Sequence, residues 1–186
     1  MKITFIQDSE LSRIILRSDR GENFGVIRFR DNLDSNKELM KEVRKKYGFI
    51  MMKCVYRGTT GSAEDKFLFI PEIKKNEMIE LGKMQNEFSV ISQNNNEIVL
   101  IGTNQMKDNS VGKIHRKEET LSDKENLKYN FSVFAQFLSQ LLKDSHNDKE
   151  IQINHLQVQE KIETSGYYHQ EHGAQWKKII ELDFKG

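Results

Sequence analysis

Leu39-Met40-Lys41-Glu42-Val43-Arg44-Lys45-Lys46-Tyr47-Gly48-Phe49 reads as a helix that stops at a glycine and passes into a strand. The stretch from Leu39 to His115 decides the fold class. Asp34 or Ser35 can cap this helix, Leu39, Met40 and Val43 share its inner side, and Phe49 to Tyr56 follows as a long strand. Gly58-Thr59-Thr60-Gly61-Ser62 reads as a loop. Phe67-Leu68-Phe69-Ile70 is apolar on both faces, which predicts a central strand covered from both sides, and Pro71 closes it because proline cannot continue a ladder. Glu77 to Lys83 predicts a short helix. Phe88 to Ser92 and Glu97 to Thr103 flank Asn94-Asn95-Asn96 as a hairpin, since asparagine tolerates the left-handed backbone of such turns.

Towards the N-terminus, Ile3 to Ile6 predicts a strand, and Leu11, Ile14 and Ile15 fall on one face of a helix that starts near Asp8-Ser9-Glu10. Phe24 to Phe29 reads as a strand whose end alternates apolar and basic. Towards the C-terminus, Ser122-Asp123-Lys124-Glu125 is a capping box. Behind it Leu127, Phe131, Phe134, Leu138 and Leu141 make a helical stripe of core character. Ile151 to Ile162 predicts a strand with one break in its alternation, and Trp176, Ile179 and Ile180 a short amphipathic segment. The expectation is one α/β domain over residues 1–186. It is a single mixed sheet of about six strands with helices packed on it, and the 122–143 helix lies across one face.

Composition narrows the function classes. In 186 residues, 37% are apolar and 31% charged, and eleven phenylalanines supply a core, so the chain is not of the disordered type. With 29 basic and 28 acidic side chains the formal net charge is +1, without the basic excess usual in a domain that lives on nucleic-acid phosphates. The single Cys54 cannot build a disulfide framework or a cysteine zinc site and reads as a buried small hydrophobe. No apolar run approaches the ~20 residues of a membrane span and no signal-peptide core is visible, so a cytoplasmic protein is expected.

Four constellations carry chemistry. Gly102 to Arg116, with Gly112-Lys113-Ile114-His115, offers a polar loop with two glycines, a lysine and a histidine to an anion. It is not a P-loop, because Lys113 is followed by Ile114; an ordinary surface connection is the plainer alternative. Arg28, Arg30, Arg57, Lys66 and Lys113 form an anion site if alternation gathers them, and a solvated sheet face if it does not. Glu64, Glu87 and Ser89 with His115 supply candidate acid–base and polar groups. Tyr167-Tyr168-His169-Gln170-Glu171-His172 reads as an exposed interaction patch more readily than as a metal site, because glycines bracket it as a loop.

Leu39 to Gly58 resembles the first half of a domain-of-unknown-function family found in bacteria and, in longer forms, in tailed phages. Glu64 before the apolar strand, Leu81-Gly82-Lys83-Met84-Gln85-Asn86-Glu87-Phe88-Ser89-Val90-Ile91, Ile101-Gly102-Thr103 and Gly112-Lys113-Ile114-His115 continue the resemblance over about 40% of the chain. Glu87 stands where the family usually shows Gln, and residues 116–186 have no counterpart. The resemblance implies an α/β fold and a phage or mobile-element setting, with no activity attached.

The expected function is therefore an accessory protein that binds an anionic ligand, a nucleotide or a nucleic-acid end, or a host partner, without catalysis. Arg28, Arg30, Arg57, Lys66, Ser89 and Lys113 are the expected contacts. The alternative is an enzyme acting on a nucleotide or phosphate ester, with His115 and Glu87 or Glu64 as its acid–base pair. A second alternative is a structural or inhibitory protein–protein module using Tyr167, Tyr168 and Trp176. No cofactor or metal is expected.

Overall fold

A computed structural model describes residues 2–6, 8–17, 22–30, 34–94, 97–103, 109–113, 122–159 and 176–183. They form nine strands and four helices: β1 (Lys2–Phe5), α1 (Glu10–Arg17), β2 (Phe24–Phe29), α2 (Asp34–Lys46), β3 (Ile50–Gly58), β4 (Gly61–Pro71), α3 (Lys75–Met84), β5 (Ser89–Asn94), β6 (Glu97–Gly102), β7 (Asn109–Lys113), α4 (Asp123–His146), β8 (Gln152–Gln159) and β9 (Trp176–Asp183). The strands make one sheet in the order β1-β9-β8-β3-β4-β2-β5-β6-β7. Every pairing is antiparallel. The α/β class stands, but the sheet is antiparallel rather than mixed, and longer than the expected six strands.

Helices cover both faces. Leu11 and Ile15 of α1 and the α4 stripe of Phe131, Phe134, Phe137, Leu138 and Leu141 pack on Phe24, Val26, Met52, Phe67 and Phe69. On the opposite face Leu39 and Val43 of α2 and Met78 of α3 pack on Ile27, Met51, Leu68 and Val90. Both-sided burial of Phe67-Leu68-Phe69-Ile70 follows from this sandwich, as expected for a central strand. Gly25 lets α3 lie close on β2: a Cβ there would sit 2.2 Å from the Met78 sulfur.

The α4 capping box is complete, with the Ser122 hydroxyl accepting from the Glu125 amide and the Glu125 carboxylate from the Ser122 amide. The helix runs three residues beyond the expected Lys143 and stops at Asn147, which takes up the left-handed backbone (φ 49°). That extra length carries His146 onto the sheet. The expected loop at 58–62 is instead a tight turn of Thr59 and Thr60, because β3 and β4 stay paired as far as Gly58 and Gly61. Residues 109–113, expected in an anion-holding loop, form the edge strand β7.

Candidate functional site

The apolar rows under α4 run out into polar groups at one end of the sheet. Along β3 that face carries Ile50, Met52, Cys54 and then Tyr56; along β4, Phe69, Phe67 and then Asp65; along β2, Phe24, Val26 and then Arg28. Because β4 runs antiparallel to both neighbours, the late residues of β3 and β2 come together beside the early residues of β4. The end of α4 brings His146 to the same place. Apart from Arg28, none of these polar groups is among the sequence candidates.

Asp65 is the hub of the resulting network. Its carboxylate accepts from Arg28 Nη2 at 3.4 Å and from the Tyr56 hydroxyl at 3.3 Å, and lies 2.5 Å from His146 Nε2. Tyr56 Oη is also 3.1 Å from that same Nε2. Both oxygen partners therefore meet one imidazole nitrogen, an arrangement that clamps the ring rather than passing a proton through it. Burial pushes the Tyr56 hydroxyl up to about 12, helped by the negative charge of Asp65 and the hydrogen bond to it, with Arg28 pulling the other way. A spectrophotometric titration should therefore show a late tyrosine step, near pH 12, and Tyr56→Phe should remove it. A titration with no late step would show that the hydroxyl is solvated.

A second pair continues the network. Arg30 Nη2 meets Glu87 Oε2 at 3.2 Å, and the glutamate is 2% exposed. Its turn is fixed by α3, where the Glu87 amide donates to the Gly82 carbonyl, and by the residue after β6, where the Thr103 hydroxyl donates to the Glu87 carbonyl. Burial pushes the Glu87 carboxyl up from its ordinary value; the positive charges of Arg30 and Arg28 only partly offset this. Ser89, two residues on, is buried on the α4 side of β5 by alternation with Ile91. Among the described residues neither Ser89 Oγ nor the buried Arg30 Nε has a hydrogen-bond partner.

Beside Tyr56 and His146 a cavity of about 460 Å³ opens between the β3–β4 turn and the turn that leaves α4. Asp148 ties its two walls together: it accepts from the Thr59 amide at 2.9 Å, from the Thr59 hydroxyl at 2.8 Å and from the Glu150 amide at 3.0 Å. These donors hold its carboxyl below the ordinary range. A Cβ at Gly58 would sit 2.5 Å from the Asp148 carboxylate, so a larger residue there must displace the side chain that ties the two turns.

The expected cation set divides between the two faces. Arg28 and the neighbouring Arg30 belong to the α4 side. Arg57, Lys66 and Glu64 point to the opposite face, where Lys53 pairs with Glu64 at 3.5 Å. Strand alternation, the premise of the set, is what separates them. Glu64 therefore cannot join Glu87 as a second carboxylate. The Lys113 backbone lies on β7, paired with Glu97 of β6, and β7 is three strands from β2. His115, Tyr167, Tyr168, His169 and His172 lie outside the described residues. Trp176 is half-buried rather than an exposed patch, with the Lys53 ammonium 4.4 Å from its ring centre. Cys54 is fully buried, and burial pushes its thiol up, which suits packing and not nucleophilic attack.

No protein-family model, curated protein or solved structure matches this chain. Among the described residues no helix is long and apolar enough to cross a membrane, and no group of three or more His, Cys, Asp or Glu is placed to hold a metal ion.

Proposed function

We propose that the chain binds an anionic ligand, with the chemistry of a nucleotide or a nucleic-acid end, at the Arg28–Arg30 end of the sheet and does not turn it over. The observation that carries this reading is the pair of unmet donors, Arg30 Nε and Ser89 Oγ, beside two arginines on one face. A buried donor without a partner costs free energy, and an anion that accepts from both would relieve it. Arg28 and Arg30 are each held by a carboxylate, so the ligand must compete with Glu87 for Arg30. The phage or mobile-element setting attached to this proposal rests on the resemblance over residues 39–115.

Nucleotides, pyrophosphate or a short oligonucleotide should raise the melting temperature, with about 2.7 kcal/mol of stabilisation at a hundred times the dissociation constant. Arg30→Ala with Ser89→Ala should remove the rise, while Arg57→Ala with Lys66→Ala, on the other face, should leave it. Affinity should increase as pH falls through the raised Glu87 pKa, because protonating the acid releases Arg30 to the anion. The sign for folding is the same. A carboxyl whose folded pKa is raised contributes stability at low pH, and that contribution is lost as pH rises through the folded pKa. A flat thermal response across the whole panel would sink the proposal.

The catalytic alternative is favoured by one observation. Glu87 is a desolvated carboxyl with its pKa raised, beside two arginines, the environment of a general acid facing a phosphate ester. Turnover of a nucleotide or phosphate-ester panel that Glu87→Gln abolishes, with ligand binding retained, would select it.

A further inference from the structure

Helices α2 and α3 lie side by side on the face away from the Arg28–Asp65 network, and the seam between them is a groove of about 190 Å³. Its apolar floor includes Val43, Ile73, Leu81 and Met84. Its rim carries Glu42, Glu77 and Glu80 against Lys46 alone, three carboxylates to one ammonium. Glu77 Oε2 is buried and has no hydrogen-bond partner among the described residues. Met84 is 51% exposed and Phe88, four residues on, 43%, so two of the four most exposed large apolar side chains described sit at this end of α3. A cavity of this volume falls below the roughly 300–1,000 Å³ of small-molecule sites and has room for one or two apolar anchors. A seam between two helix faces accepts a third helix by ridges-into-grooves packing, and an exposed methionine adapts to its partner.

We propose that the α2–α3 groove docks a basic amphipathic helix supplied by another protein, its leucine-like anchors on Val43, Leu81 and Met84 and its lysines or arginines on Glu42, Glu77 and Glu80. The charge imbalance of the rim selects the partner's sign, and the unpartnered Glu77 oxygen gives one cation a desolvated acceptor. This site is independent of the anion site, and the two are tested apart.

The probe is a fluorescein-labelled synthetic helix of leucines and lysines at i, i+3, i+4 spacing, followed by anisotropy against the full chain. Saturable binding is expected. Met84→Asp should weaken it about tenfold or more, as loss of a central anchor does. Glu77→Gln with Glu80→Gln should weaken it about fivefold at low salt, and the difference should shrink as salt screens the exposed charges. Glu10→Gln with Glu181→Gln, equally acidic but remote, should leave it unchanged. These substitutions fall on partly or fully exposed side chains, and circular dichroism melts check that each variant folds. Three results would overturn the proposal: no binding, equal binding of a glutamate-for-lysine helix, or equal binding by the groove variants. A dimer in sedimentation velocity that Met84→Asp dissociates would also overturn it, naming a second copy of this chain as the occupant.

Discussion

Phe134→Ala is expected to cost about 3–5 kcal/mol, a larger loss than any truncation at the polar end of the sheet should produce. Phe134 is fully buried, with its ring 6.0 Å from Phe24, 6.1 Å from Phe69 and 6.1 Å from Phe131, each pair edge-to-face. Removing the ring empties the point where α4 meets two central strands, and the neighbours are themselves aromatic and cannot collapse into the gap. Against a typical total of about 5–15 kcal/mol, such a loss takes about a fifth or more of the native stability. For a chain of this length it should lower the melting temperature by roughly 10 °C. A loss under about 1 kcal/mol in urea or thermal melts would place α4 at the periphery and make its Phe/Leu stripe an interface.

What can be read from the residues, and what cannot, follows from how each element is held. Elements with local signals are where the sequence analysis places them. Examples are α4 behind its capping box, β2 over Phe24–Phe29, and the β5–β6 pair around 94–96. Sheet direction and strand order depend on pairings far apart in the chain, such as β3 with β8 and β1 with β9, for which no local pattern exists. The division of the cations has a related cause. In β3 and β4 both faces are apolar over Met51-Met52 and Phe67-Leu68, so alternation loses its phase and assigns Arg57 and Lys66 no side. Strand β7 lies in a glycine-containing polar stretch without alternation, and it reads as a loop for that reason.

The Asp65 network leaves little trace in the sequence because its members are ordinary residues until three strands and a helix end converge. Asp65 sits two residues before Phe67, and Tyr56 two after Cys54, on the row that faces α4. That offset is the available signal. A helix ended at Lys143 leaves His146 in a turn, since a non-glycine stop such as Asn147 gives a weak boundary signal. Glu87 and Ser89, in contrast, are sequence candidates that lie two residues apart at the start of β5. Arg28 and Arg30 share their face.

The second large effect is expected at Asp65. Removal of its carboxylate by Asp65→Ala leaves Arg28, 9% exposed, without its ion-pair partner, and leaves Tyr56 and His146 without their shared acceptor. Truncating one side of a fully buried pair costs about 3–5 kcal/mol, because the remaining charge stays desolvated. Here Asp65 is 19% exposed and the Arg28 contact is 3.4 Å, so a loss of about 2–3 kcal/mol is expected. Tyr56→Phe removes a hydroxyl that contacts both Asp65 and His146 but strands no charge, and should cost about 0.5–1.5 kcal/mol for each hydrogen bond lost. The informative variant is the double replacement Arg28→Met with Asp65→Leu. Apolar residues of similar volume remove both charges together, so the double variant should be more stable than Asp65→Ala alone. It should also lose the ligand-induced rise in melting temperature if Arg28 belongs to the anion site. A double variant that regains stability and keeps the rise would make Arg28–Asp65 a purely structural pair and confine the ligand to Arg30 and Ser89. An Asp65→Ala loss under about 1 kcal/mol would instead mean that water already satisfies this end of the sheet.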